Sequence, residues 1–245
     1  SVQSIRFPQN RYHDVEKLLS LLNYGNFIST DKSYYFNYDE NPVDIESLRA
    51  KNTKLNLLRV SLFQRSAKFV YQPIVDRETG DISYYECLLR VKDQENKWVS
   101  VGNMVSDAES KGLISIVDFT VVEMAILELH RDKNISLSVN ISNIGVLNKR
   151  LLRRIESLLK KYDVAKRLII EITETSLNDD FQSTKIFIDT LHKAGCRFAL
   201  DDFGSGFTSF QQLLNLPIDI IKIDGSYIRD ILKNDHSRFF VEALI

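Results

Sequence analysis

The chain has 245 residues, 44% of them apolar, with 32 basic and 33 acidic side chains and a formal net charge of −1. That is enough apolar material for one large barrel or two smaller domains, and the near-neutral balance excludes the extended basic surface of a nucleic-acid polymer binder. Two cysteines, Cys87 and Cys196, exclude a disulfide framework and fit a reducing cytoplasm, and no stretch reads as a signal peptide or a membrane-spanning run.

Residues 1–45 read as a small α+β segment. "DVEKLLSLLNYG" has apolar residues at helical spacing and a closing glycine. "KSYYFNYDENP" is aromatic and strand-like until Asn41 and Pro42 break it. Residues 46–66 are expected to form a linker helix, with leucines at 48, 55, 57, 58 and 62.

From residue 67 strands and helices alternate. "KFVYQPIVD" turns through "RETGD" into "ISYYECLLRV", an expected hairpin. Helices are expected over "NMVSDAESKG" and "SIVDFTVVEMAILELH", then a strand at "SLSVNIS". "LNKRLLRRIESLLKKY" is an amphipathic helix whose basic residues read as a solvated face. The strand "RLIIEITE", the helix "DDFQSTKIFIDTLHKAG" and the strand "RFALDDF" follow. "SFQQLLNLP" is a short helix stopped by Pro217, "DIIKID" a strand, and "HSRFFVEALI" a further helix. Such alternation predicts a parallel α/β arrangement, either an open doubly wound sheet or an incomplete TIM-type barrel. A full barrel needs roughly 250 residues. The part from residue 67 onward is shorter, so a barrel here is expected to lack its last two strands. The missing initiator methionine and the apolar final helix lead to the expectation that this sequence is a piece of a longer one.

The chemistry-bearing residues sit where strands finish. Glu86, Asn140, Glu171, the pair Asp201 and Asp202, and Lys222 fall on five successive strands. In parallel α/β folds these ends converge on one crevice. Four gathered acids repel one another, and a bound divalent cation resolves that repulsion. The donors are all oxygens, and His13, His130, His192 and His236 lie in helices or in the N-terminal segment. The set therefore favours Mg²⁺, Mn²⁺ or Ca²⁺ over zinc. Taken singly, each residue has a purely structural reading. Glu86 could pair with Arg90, Asn140 could buttress a loop, Glu171 and Glu174 could cap the next segment, and the aspartates could cap a turn. The coincidence across five strands argues for a site. An enolase-like proton abstraction would need a second lysine or histidine at another strand end, and none is seen.

The segments "YQPIVDRETGDISYYECLLR", "AESKGLI", "SVNIS", "IIEITETS", "ALDDFGSGFTSF" and "LPIDIIKIDGSYI" together resemble the EAL-domain family of bacterial cyclic di-GMP phosphodiesterases. The resemblance runs from about Lys68 to the last residue. It implies a TIM-type barrel with an antiparallel first strand. It implies Glu86, Asn140, Glu171, Asp201 and Asp202 as ligands of two Mg²⁺ or Mn²⁺ ions, with Ca²⁺ inhibitory. It implies that Lys222 positions the attacking water, that Glu174 steadies the loop after Asp202, and that Gln72 and Arg90 contact the dinucleotide. The implied reaction opens cyclic di-GMP to linear pGpG, and the implied setting is cytoplasmic, the parent protein being free to carry a membrane anchor. A homodimer through "GSGFTSFQQLL" is implied as well. The competing expectation is a receptor domain that binds the dinucleotide without turning it over.

Three features depart from the family pattern. Cys87 stands in place of the signature alanine, and Phe207 in place of the usual tyrosine. The sequence also stops before the last two strands, which carry a further catalytic glutamate. Residues 1–45 weakly resemble the tail of a GGDEF domain, the usual neighbour of EAL domains. The cyclase signature itself is absent.

Overall fold

The structure, a computed structural model, describes residues 4–6, 35–37, 45–204 and 213–244, and divides into two compact units, Ser1–Leu57 and Leu58–Ile245. In the first unit β1 (Ser4–Arg6) pairs in parallel with β2 (Tyr35–Asn37). The helix expected at "DVEKLLSLLNYG" lies outside the described residues. Helix α1 (Ile45–Phe63) overlaps the expected linker, and the boundary between the units falls inside it.

The second unit is built on one mixed sheet. Its strands are β3 (Lys68–Val75), β4 (Ile82–Lys92), β5 (Trp98–Ser100), β6 (Leu137–Asn140), β7 (Leu168–Thr173), β8 (Arg197–Phe203) and β9 (Ile220–Ile223), in the order β3–β4–β6–β7–β8–β9 with β5 on β4. β3 and β5 each pair antiparallel with β4, and along β4–β6–β7–β8–β9 every neighbour is parallel. This is an incomplete α/β barrel of TIM type with an antiparallel first strand, as the strand–helix alternation and the family resemblance predict.

Local chemistry explains the turns. Asp76 Oδ1 accepts the backbone N–H groups of Glu78 and Thr79, each at 2.9 Å, and Gly80 takes a φ of 75° to close the hairpin. The central parallel strands, β7 and the middle of β8, are covered on both faces. β7, "LIIEIT", accordingly reads as an almost unbroken apolar run and is buried along nearly its whole length. The long helix α3 (Ile114–Arg131), which follows the short α2 (Val105–Ser110), turns Val117, Val121, Val122, Ala125, Ile126 and Leu129 inward. After the short helix α4 (Asn143–Val146), α5 (Lys149–Lys161) buries Leu151, Ile155 and Leu158, and its basic residues lie on the open face as expected. The guanidinium of Arg167 ties down the end of α3 through the carbonyls of Leu129, Asp132 and Ile135 at 2.7–3.0 Å.

The sequence pattern does not mark β1, β5, the short 3₁₀ turns at Gly102–Met104 and Ala165–Arg167, or the short helices α4, α6 (Glu174–Asp179) and α8 (Gly225–Arg229). Helices α7 (Phe181–Lys193) and α9 (Asp235–Leu244) follow the expected pattern. Residues 209–212 of the helix expected at "SFQQLLNLP" lie outside the described residues; of the rest, Leu213 is helical and the chain turns at Leu214 and Asn215 ahead of Pro217.

The strand registers put the candidate residues on one face. Gln72 pairs with Glu86, Glu86 with Ser138, Asn140 with Glu171, Glu171 with Ala199, and Ala199 with Ile220. Side chains alternate along a strand with period two. Glu86, Asn140, Glu171, Asp201 and Lys222 therefore project from the same face, the inner one. Two residues before each of them lies a floor of Tyr84, Ser138, Ile169, Ala199 and Ile220. Tyr84, Ile169 and Ala199 form one buried cluster, packed by Ile74 and Ile220. The interior is thus two layers deep, an apolar floor and a polar ring above it, in the manner of barrel cores.

Candidate active site

Lys222, near the end of β9, is the centre of the ring. Its ammonium lies 2.5 Å from Glu171 Oε2, 3.0 Å from Glu86 Oε2 and 3.2 Å from Asp201 Oδ1. Asn140 Nδ2 donates to Glu86 Oε1 at 2.9 Å, which leaves Oδ1 as the acceptor that Asn140 offers. The purely structural alternative for Glu86, an ion pair with Arg90, is not what forms. Arg90 Nη1 donates instead to the Leu89 carbonyl at 3.1 Å and to Ser100 Oγ at 3.3 Å.

The electrostatics follow from depth. Glu171 is fully buried, and burial pushes its carboxyl above the ordinary range against the pull of Lys222. For Lys222 burial acts downward, yet Glu171, Asp201 and Glu86 outweigh it and hold the ammonium charged. Three carboxylates around one lysine still leave a surplus of negative charge. Glu171 Oε1 shows where that surplus is least satisfied: it is buried and closes no hydrogen bond of good geometry, although the nearby, likewise unpartnered Ser138 hydroxyl pulls the Glu171 carboxyl down. A buried acceptor left so is unfavourable by roughly 1–3 kcal/mol.

Two adjacent aspartates cannot both face inward from a regular strand. The chain breaks the alternation instead. The β8–β9 register shifts between Leu200 and Phe203, and Asp202 takes a φ of 54°, in the left-handed region. Asp and Asn reach that region more readily than most residues. Asp202 thereby enters the field of the ring: partial burial, then Asp201 and Asp224, push its carboxyl up, while Lys222 pulls it down.

The turn after Asp202 is gripped at Gly204, whose φ is 97°. Its N–H donates to Glu174 Oε2 at 3.1 Å, and its carbonyl accepts from Tyr227 Oη at 2.8 Å. Tyr227 stacks on Phe240 with ring centroids 4.4 Å apart, and Phe203 stacks on the same ring at 6.1 Å. A Cβ on Gly204 would stand 2.7 Å from Phe240 Cζ, so only glycine fits. Glu174 therefore holds a loop and stands apart from the ring, whereas Gln72 sits across the hairpin from Glu86. Phe207 and most of the expected dimer segment lie outside the described residues.

Two supports are not evident from the sequence pattern alone. Tyr227 is one, and no signal in the sequence marks it. The other begins at Asp118, a buried acid on the apolar stripe of α3, and that misplacement is a readable signal. Asp118 accepts from Ser142 N at 3.1 Å and Ser142 Oγ at 2.6 Å. Ser142 Oγ in turn accepts from Gly145 N at 3.0 Å, and Asn143 Oδ1 accepts from Thr173 Oγ1 at 3.1 Å and from Ser176 Oγ. This network joins the segments that follow Asn140 and Glu171. Burial raises the Asp118 carboxyl to about 6, with the Ser142 bonds acting downward.

The donor set fits divalent cations. Glu86, Asn140, Glu171, Asp201 and Asp202 offer only oxygens, and the unsatisfied Glu171 Oε1 is a buried anionic atom in want of a cation. As the side chains stand, no three His, Cys, Asp or Glu groups among the described residues enclose an ion, and the Lys222 ammonium takes the middle of the ring. Cys87, beside Glu86, is buried and its thiol is pushed up to about 12, first by burial and then by Glu171 and Glu86, so it stays neutral and inert. No helix among the described residues is long and apolar enough to cross a membrane.

Comparison with known proteins points the same way. The family model described as "EAL domain" matches residues 56–245. Cyclic di-GMP phosphodiesterase PdeF of Escherichia coli (strain K12) is 33% identical over 197 residues, covering 76% of this chain and 25% of that protein. The probable cyclic di-GMP phosphodiesterase PdeA of the same strain is 32% identical over 195 residues, covering 78% and 26%. The chain thus spans about a quarter of the length of these two relatives. Among solved structures, the PaMucR phosphodiesterase in complex with c-di-GMP superposes with a TM-score of 0.71 at 26% identity, covering 77% of this chain and 79% of that one.

Proposed function

The chain belongs to the EAL-domain family, and on that premise we propose that it hydrolyses cyclic di-GMP to linear 5′-pGpG with the help of two divalent ions, Mg²⁺ or Mn²⁺. The observation that carries this reading is the inner ring: Glu86, Glu171 and Asp201 gathered around Lys222, with one buried carboxylate oxygen left unsatisfied.

Glu86, Asn140, Glu171, Asp201 and Asp202 would hold the ions. Bound there, the ions would polarise the phosphate and acidify a water. The rest is the work of the chain's own residues. Lys222 stays protonated, so it can donate to the attacking water and orient it but cannot take its proton. A neighbouring carboxylate must accept that proton. Water oxygen bonds to phosphorus, the P–O3′ bond breaks, and the 3′ oxygen leaves as a hydroxyl, taking the proton back from that carboxylate or from solvent. Glu174 and Tyr227 keep the loop behind Asp202 in place, so the ligand geometry does not have to be assembled at each turnover.

The test is chromatography of products after incubating the protein with cyclic di-GMP and Mn²⁺ or Mg²⁺, beside calorimetry of binding. Formation of pGpG, abolished by Glu86→Gln and by Ca²⁺, is the expected result. Tight binding without any pGpG would assign the receptor role instead, and absence of both binding and product would remove the dinucleotide from consideration.

A further inference from the structure

The end of the β3–β4–β5 hairpin carries a group of side chains that the ring chemistry does not use. Arg90 pairs with Lys68 on one side and with Ser100 on the other, while Lys92 pairs with Trp98. By the two-residue alternation from Glu86, residues 90 and 92 of β4 share its face. So do their cross-strand partners Lys68, Trp98 and Ser100. β4 runs parallel to β6, so this cluster lies on the mouth side of the ring. Arg90 is four residues beyond Glu86, about 13 Å along the strand at ~3.3 Å per residue.

Three properties of the cluster stand out. Lys68 Nζ lies 4.0 Å and Lys92 Nζ 5.4 Å from the centre of the Trp98 ring. Trp98 is 40% exposed, although large aromatic rings usually hide their apolar body. Among the described residues neither lysine nor Arg90 is paired with a carboxylate, whereas Lys222 is held by three. The molecule thus sets an acidic ring beside three cations without carboxylate partners, two of them lying over a half-exposed indole. Positive charge next to an aromatic plane suits a ligand that combines a phosphate with a flat base.

We infer that Trp98, with Lys68 and Lys92, is a subsite for the base and phosphate of the nucleotide half that is not being cut. This rests on the proposed phosphodiesterase reading and deepens it. The lysines swing from the indole to the phosphate, and a guanine stacks on the ring they leave. Such a subsite acts on binding and leaves the bond-breaking step alone, because it touches neither the scissile phosphate nor the ring.

Trp98 is the only tryptophan in the chain, so its fluorescence reports on the cluster directly. Cyclic di-GMP added in the presence of Ca²⁺ is expected to quench that emission saturably. In steady-state assays with Mn²⁺, Trp98→Ala is expected to raise KM about tenfold, the order of one lost base–aromatic stack, with kcat within twofold. Trp98→Phe keeps a stacking face and is expected to stay near the wild-type KM. Lys68→Ala combined with Lys92→Ala is expected to raise KM and flatten its salt dependence. Hydrolysis of bis(p-nitrophenyl) phosphate, which has no guanine, is expected to be unchanged in all three, and thermal melts check that each is folded. Wild-type turnover together with an unquenched Trp98 and an unaltered KM in Trp98→Ala would overturn the subsite while leaving the phosphodiesterase reading intact. Wild-type protein that neither binds nor cleaves cyclic di-GMP would overturn both.

Discussion

Replacing Lys222 by methionine probes the balance of the inner ring most directly. Methionine keeps most of the side-chain volume and removes the charge. Glu171 is fully buried, its Oε2 sits 2.5 Å from the ammonium, and its Oε1 has no hydrogen bond. The substitution leaves a buried carboxylate with neither oxygen compensated, beside Glu86 and Asp201, which lose the same partner. Removing one member of a buried ion pair destabilises by about 3–5 kcal/mol. At 2–4 °C per kcal/mol for a unit of this size, Tm at pH 7 without metal is expected to fall by roughly 6–20 °C. The deficit depends on pH in a definite direction. The Glu171 carboxyl is already raised in the wild type, and loss of the lysine raises it further. A raised acid binds more protons folded than unfolded, so stability rises on acidification and is lost as pH climbs through the folded value. The gap between variant and wild type is therefore expected to narrow as pH falls from 7 towards 5. Mn²⁺ is expected to raise the variant's Tm more than the wild type's, since an ion replaces the missing charge. Differential scanning calorimetry over pH and Mn²⁺ reads all three effects. A Lys222→Met protein within 1 kcal/mol of wild type at pH 7 without metal would refute the claim that the lysine holds these carboxylates together.

Tyr227→Phe removes only the hydroxyl that donates to Gly204. It is expected to lower stability by about 0.5–1.5 kcal/mol and to weaken Mn²⁺ binding several-fold by calorimetry, with unchanged Mn²⁺ affinity counting against the grip. Gly204→Ala meets both a positive φ and a 2.7 Å approach to Phe240, and is expected to abolish turnover and lower Tm more than Tyr227→Phe does. Asp118 has its carboxyl raised from 3.8 to about 6. Its favourable contribution is complete below the unfolded value and lost as pH rises through the folded one, on the order of 3 kcal/mol in all. Denaturant titrations of Asp118→Asn are expected to lack that decline between pH 4 and pH 6.5, and an identical slope in variant and wild type would show that another group titrates there.

Much of the fold was legible because parallel strands announce themselves in composition. "LIIEIT" and "RFALDDF" are short apolar runs with acids in their second halves, and buried parallel strands have that texture. Glu86, Asn140, Glu171, Asp201 and Lys222 could be gathered from the sequence because strand ends converge and a period of two chooses the face. Other features depend on tertiary placement. β5 lies in "KWVS", three residues too short for periodicity to mark. Tyr227 reads as an ordinary aromatic until its hydroxyl is found under Gly204. The raised carboxyl of Asp202 goes with a register shift and a left-handed backbone, which a pattern of adjacent acids does not encode. The central place of Lys222 among three acids was legible only as a strand-end lysine, since its partners come from strands 136, 51 and 21 residues away. Asp118 carried a signal, an acid among valines, but its partners across the loop did not.

The two-layer interior has a consequence for how such a chain can change over generations. Each reactive side chain is told from its outward-facing neighbours only by whether its count along the strand is odd or even, and from the floor beneath it by a single step of two. Deleting a single residue within β7 ahead of Glu171 would trade that carboxylate for an isoleucine and turn the acid out of the barrel. Deleting two would restore the parity but sink the carboxylate by about 6.6 Å, into the apolar layer beside Tyr84. No small change of length in a strand leaves the arrangement whole. The site is in this sense kept by counting, and changes in length are confined to the connections between strands, where nothing is counted.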